Sequence, residues 1–365
     1  MIASPQRLVS LDAMRGFTIA AMILVNYPGT WDHVYPPLLH AEWNGITMTD
    51  FIFPFFLFIV GVSIAYAYTK RLKSGGEKAG LYPKIAIRAL KIFAVGVFLN
   101  LIPEFNLVDV RFAGVLQRIS VVFLVCAFLF LNTNWKIQTL IAIGILFFYW
   151  LAMTLIPTPG YDRALLEPGE NLAAWIDRIL LPGKMWEGTW DPEGLFSTIP
   201  SVVTGIFGLL AGKILIGSDS QQEKANKLMA IGVPIILLGL LWNQVFPINK
   251  HLWTSPFTCV TGGAAFTALG AFYYLVDIKG YRSGTSIGVI FGANAITVYV
   301  LADVLSMIFY NSNLFNGGLD TQFVGGITKM GVPIKMASFV YAIIYVGINF
   351  IPAYILYKKN IFIKL

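Results

Sequence analysis

The segment His40-Ala41-Glu42-Trp43-Asn44-Gly45 lies between two membrane-length apolar runs and is followed by Asp50-Phe51-Ile52-Phe53-Pro54. An imidazole beside aromatic and amide side chains suits proton transfer to or from a group reacting at the outer mouth of a helix bundle. His40 is the candidate general base, and Trp43, Asn44 and Asp50 are candidate substrate contacts. Asn26 stands before Tyr27-Pro28-Gly29, where a helix must end. Its amide either closes that helix or offers two donors to the pocket. Asp50 follows Thr47 and Thr49 and could equally stabilise the N–H groups that open the next helix. The other histidines, His33 and His251, are scattered and lack the i, i+4 spacing of a helical metal site, so no metal is expected.

Ionisable residues inside apolar runs are costly to bury and invite a functional reading. Asp12 and Arg15 are three apart, a spacing that lets them pair on one helix face or frees Arg15 for an anionic ligand. Arg118, in Gly114-Val115-Leu116-Gln117-Arg118, needs a carboxylate, a carbonyl or a ligand phosphate. Asp303, after Asn294, is a further buried candidate whose partner the sequence does not name.

The elements that must carry these groups follow from composition. The chain has 365 residues, 57% hydrophobic and 12% charged, with a mean hydropathy of +0.71. That is too little polar surface to cover a soluble globule, and apolar runs near membrane length recur. We expect an all-α, polytopic helix bundle with spans near 8–27, 47–69, 85–102, 113–131, 137–157, 195–216, 227–246, 254–276, 286–308 and 336–357. Ten spans put both termini on one side. Taking that side as cytoplasmic places roughly 18 of the 26 Lys and Arg on or beside inner segments, as the positive-inside rule requires. The net charge of +7 therefore reads as orientation and contact with anionic lipid, not nucleic-acid binding.

One domain over 1–365 is expected, with an extracytoplasmic insertion at about 158–194 that holds Trp175, Trp186 and Trp190. Within it, Leu172, Trp175 and Ile179 recur at helical spacing with Asp177 and Arg178 opposite, a pattern for a helix lying on the membrane face. Cys126 and Cys259 fall inside apolar runs and read as packing residues. Met1–Arg7 carries no cleavable leader pattern, which points to a bacterial inner membrane. An aromatic-rich bundle of this kind could form a homodimer in lipid.

The blocks Leu11-Asp12-Ala13-Met14-Arg15-Gly16, Val25-Asn26-Tyr27, His40 to Gly45 and Asp50 to Gly61 resemble the family of the heparan-α-glucosaminide N-acetyltransferases, within the transmembrane acyltransferases. The likeness continues through Gly114 to Arg118, Asp191-Pro192-Glu193-Gly194-Leu195, Ala211-Gly212-Lys213, Ile248 to Trp253 and Asn294 to Val300. The resemblance implies transfer of acetyl from cytosolic acetyl-CoA to a glucosamine-type amine across the membrane, with the family's active-site histidine at His40 and asparagine at Asn26. The sequence begins at its first span, without the large lumenal N-terminal domain of the family's lysosomal member, which leaves the size of the acceptor open between free glucosamine and an amino-sugar fragment of a glycan.

Topology agrees with that chemistry, because the phosphates of acetyl-CoA cannot enter hydrocarbon and must be held at the inner mouth. Arg15, Arg118, Lys213 and Asn294 are the candidate contacts for this co-substrate, and Lys84, Arg88 and Lys91 line the same side at helical spacing. The competing class is a secondary transporter for a sugar or small anion, using the same buried charges. It predicts discontinuous helices in matched halves, and no internal repeat is visible.

Overall fold

The computed structural model describes residues 8–102, 105–311, 313 and 317–363; Met1–Arg7 and Lys364, used above for leader and charge, lie outside them. In chain order the helices are α1 (Val9–Asn26), α2 (Ile52–Lys73), α3 (Tyr82–Leu101), α4 (Val115–Asn132), α5 (Trp135–Leu155), α6 (Leu172–Leu180), α7 (Leu195–Ile216), α8 (Gln221–Trp242), α9 (Ser255–Phe272), α10 (Thr285–Ala293), α11 (Ala295–Phe309), α12 (Leu319–Lys329) and α13 (Ile334–Lys358). The architecture is all-α and polytopic. Among the described residues, eight helices are long and apolar enough to cross a membrane.

The remaining two expected spans differ for readable reasons. Lys84, Arg88 and Lys91 put three charges on α3, and Arg88 lays its guanidinium 4.9 Å from the Phe123 ring on α4, shielding it from hydrocarbon. The run at 286–308 is two helices, α10 and α11, bent by 82° at Asn294.

The chain divides into two compact units, the larger comprising Ala41–Ile46 and Pro54–Tyr274, the smaller Leu8–His40, Thr47–Phe53 and Leu275–Leu365. In the larger unit α7 is the hub, packed by α4, α5, α6, α8 and α9. Glycine lets α2 approach it closely: a Cβ on Gly208 would sit 2.0 Å from the Phe58 carbonyl oxygen, and one on Gly61 2.0 Å from that of Gly205. Small residues at such crossings replace the hydrophobic drive that lipid removes. The connection after α3 is tied to the 183–194 segment by Arg111, which donates to Asp191 at 2.6 and 2.7 Å and to Glu193 at 2.6 Å.

In the smaller unit α1 packs on α10, α11 and α13. The Asp277 carboxylate accepts the Val9 and Ser10 N–H groups at 3.3 and 3.1 Å, starting α1 with an anion where the helix dipole is positive.

Candidate functional site

The smaller unit holds His40, Asp50 and Asn26. His40 follows the tight turn Pro36–Leu38, and its Nδ1 lies 2.7 Å from Oδ1 of Asp50, a fully buried carboxylate. The other oxygen of Asp50 accepts the Thr47 N–H at 2.8 Å, one half of a capping box that opens the turn Met48–Phe51 ahead of α2. Asp50 thus performs the helix-opening role and also grips the imidazole. A ring nitrogen facing a carboxylate carries the hydrogen, which in the neutral ring leaves the lone pair on Nε2. The side chain of His40 is 38% exposed, open enough for a substrate to reach it.

Asn26 is the last residue of α1. The chain beyond it is pinned in four places. The Tyr27 hydroxyl donates to Asp303, the Tyr310 hydroxyl donates to the Pro28 carbonyl at 2.8 Å, and the Gly29 and Thr30 N–H groups reach the Ser338 carbonyl and hydroxyl at 3.2 and 3.0 Å. Tyr27 and Tyr299 are partners of Asp303 that the sequence left unnamed. Arg15 pairs with Asp12 at 3.3 Å and reaches the Gly292 carbonyl at 3.4 Å. Asn294 spends its amide at the helix bend, donating to the Ile361 carbonyl at 3.0 Å and accepting the Ile363 N–H at 2.8 Å.

The larger unit holds Trp43, Asn44, Arg118 and Lys213. Trp43 donates to the Leu166 carbonyl at 3.0 Å; its ring stacks on His251 at 5.4 Å and meets Trp190 edge-on at 5.1 Å. Asn44 accepts from Asn249 at 3.1 Å, and the Gly45 N–H bonds the Ile248 carbonyl at 2.8 Å. His251 and Trp190 were not singled out for this cluster in the sequence, where neither has any periodic relation to Trp43. Arg118 is 2% exposed and finds neutral partners, the Gly194 carbonyl and the Thr198 hydroxyl at 3.2 Å and the Ser197 hydroxyl, all in the first turn of α7 or next to it. The Trp253 ring lies 5.0 Å from its guanidinium. Lys213 lies 4.9 Å from the Trp135 ring.

The helix foreseen in the insertion exists as α6, capped by Asn171, whose side chain accepts the Ala174 N–H at 2.9 Å. Its buried face differs from the expected one. Asp177 is 2% exposed while Ile179 is 58% exposed, because Asp177 accepts the Leu195 and Phe196 N–H groups at 2.8 and 3.2 Å and so caps α7.

Burial pushes the Asp177 carboxyl up to about 6, against the opposing pull of those N–H groups and of Arg118. A carboxyl with a raised folded value holds its proton more tightly than the unfolded chain does, so its contribution is full below the unfolded value near 4 and is lost as pH climbs through about 6. Asp177→Asn keeps an accepting oxygen and has no charge to bury. Thermal unfolding in detergent should show the variant gaining stability relative to wild type between pH 4 and 7; a difference that stays flat with pH would contradict the assignment.

Residues 7–176 match the family profile described as heparan-alpha-glucosaminide N-acetyltransferase, catalytic. The human heparan-alpha-glucosaminide N-acetyltransferase is 32% identical over 368 residues, covering 84% of this chain and 54% of that protein. The mouse protein of the same name is 32% identical over 370 residues, covering 84% and 55%. The chain therefore spans about half the length of these curated relatives. The matched profile includes Arg15, Asn26, His40, Trp43, Asn44, Asp50 and Arg118 and stops short of Lys213 and Asn294.

Proposed function

We propose, from the profile match over residues 7–176 and the 32% identity to the human and mouse proteins, that the chain is a heparan-α-glucosaminide N-acetyltransferase-like enzyme that transfers acetyl from acetyl-CoA to the amine of a glucosamine-type sugar. The observation that carries the reading is the His40–Asp50 pair, 2.7 Å apart. Asp50 fixes the tautomer and aim of the ring, and Nε2 of His40 serves as general base. As the amine nitrogen attacks the thioester carbonyl, its proton passes to Nε2. The oxyanion takes a hydrogen bond from the Asn26 amide, and the C–S bond then breaks to release CoA as the thiolate, which recovers the proton from His40. The pinned segment after Asn26 suits that donor role, since an oxyanion donor works by being held in advance.

On this reading the co-substrate enters from the cytoplasmic side, Arg15 in the smaller unit and Lys213 in the larger being candidate phosphate contacts, and Trp43 and Asn44 in the larger unit are candidate acceptor contacts. The hydrogen bonds of Arg118 to the start of α7, and of Asn294 to the chain after α13, support positioning roles for both rather than phosphate contacts. Direct transfer predicts that rapid mixing with labelled acetyl-CoA, without acceptor, leaves no label on the protein. A stoichiometric acetyl adduct on His40 would replace the direct route with a two-step one.

The bend at Asn294 is the one observation that favours a transporter, whose sites often sit at discontinuous helices. The readings separate by ligand: acetyl-CoA raises the unfolding temperature of an acyltransferase, whereas a transporter responds to free sugar and not to CoA.

A further inference from the structure

We propose that the cavity at the α4–α5 turn is a binding site for a phosphate-bearing ligand. Within the larger unit, Thr69 near the end of α2, Thr133, Asn134, Trp135 and Gln138 around the turn, and Lys213 on α7 help to line a cavity of about 380 Å³. That volume lies in the range of small-molecule sites, and no carboxylate lines it among the described residues.

The charge around it has one sign. Lys213 and Lys136 bring their ammonium groups to 4.9 and 5.9 Å from the centre of the same Trp135 ring. An indole face attracts a cation without neutralising it, so both positive charges persist. The acid nearest in sequence, Asp219, is engaged by Lys227 at 2.8 Å. The last turn of α2 adds Lys70, Arg71 and Lys73 beyond Thr69, and α5 begins at Trp135 with the positive end of its dipole. Charges of one sign around a concave, partly apolar wall concentrate the opposite charge there.

A bare phosphate would fill little of this space. The ligand has an apolar or flat body that meets Trp135 and Leu209, with amide and hydroxyl partners from Asn134, Gln138 and Thr69. Two molecules present that chemistry, the nucleotide end of an acyl-CoA and the head group of an anionic phospholipid. The first source rests on the function proposed above; the second does not.

The test uses the full chain, purified in nonionic detergent and stripped of phospholipid. Titration calorimetry with adenosine 3′,5′-bisphosphate and with dioctanoyl phosphatidylglycerol distinguishes the sources, the tighter probe naming the ligand. Lys213→Gln should weaken that probe about tenfold, the loss of one charge-assisted contact. Trp135→Leu should weaken it as well, and Lys184→Gln, an exposed lysine of the 183–194 segment that does not line the cavity, should not. Lys213 is exposed, so its replacement leaves folding intact even if loss of the indole does not. The site is overturned if neither probe binds wild type, or if the bound probe is indifferent to Lys213→Gln. Acetyl transfer measured alongside keeps the two ideas apart: inactive protein that still binds phosphatidylglycerol through Lys213 defeats the proposed function and spares the cavity.

Discussion

Under the proposed function, His40→Ala should lower acetyl transfer from acetyl-CoA to glucosamine by about a hundred- to ten-thousandfold, the usual weight of a positioned general base. Asp50→Asn falls close to it, and the double variant is no worse than the more damaging single. Residues that act as one unit are not additive, because once the ring is gone its orienting carboxylate has nothing left to orient. The geometry requires this coupling: Asp50 is buried, and one of its oxygens lies 2.7 Å from Nδ1 of His40. An asparagine can turn its NH₂ toward Nδ1, which would place the hydrogen on Nε2 and remove the lone pair that does the work. Thr47→Val disturbs the capping box without touching the ring and separates the two roles of Asp50. Turnover in detergent decides the matter, with size-exclusion profiles as the check on folding. Near-normal turnover in Asp50→Asn would end the orienting role, and near-normal turnover in His40→Ala would end the base.

Gly208→Leu produces the largest loss of stability of any single change considered. The new Cβ alone would lie 2.0 Å from the Phe58 carbonyl oxygen and 2.9 Å from the Gly61 Cα, both backbone atoms that no rotamer change can move aside. Relief requires α2 and α7 to separate along their contact, and overpacking of this kind costs about 3 kcal/mol or more. Gly144, on an exposed stretch of α5 with nothing near its Cβ position, is the matched control. Gly144→Ala should be neutral or slightly stabilising, since alanine is the better helix former. Fluorescence-detected unfolding on the purified variants reads both. A Gly208→Leu protein that melts with wild type would mean that α2 and α7 do not meet as described.

What the sequence made legible was whatever depends on neighbours along the chain. Each of the ten expected runs coincides with helix, because burial in lipid demands apolar side chains on every face and backbone bonds satisfied within the segment. The bend at Asn294 was hidden, since Gly292-Ala293-Asn294-Ala295 has no proline and the apolar run continues through it. His40 was legible from its company. Its link to Asp50 was not, because the nine residues between them follow short turns without a period. The partners of Arg118 lie up to 80 residues away on α7, and only the need for a partner could be read. The burial of Asp177 was hidden for the same reason: its charge suggested water, but the N–H groups of α7 that justify its burial arrive from 18 and 19 residues downstream.

Asp50 divides its two oxygens between an imidazole and the opening turn of a membrane-spanning helix. Bilayer thickness and lateral pressure act on that helix along its whole length, and a slight unwinding at its head would swing the same carboxyl away from the ring. One side chain thus serves both the ring and the turn, so whatever loosens the turn also loosens the hold on the imidazole.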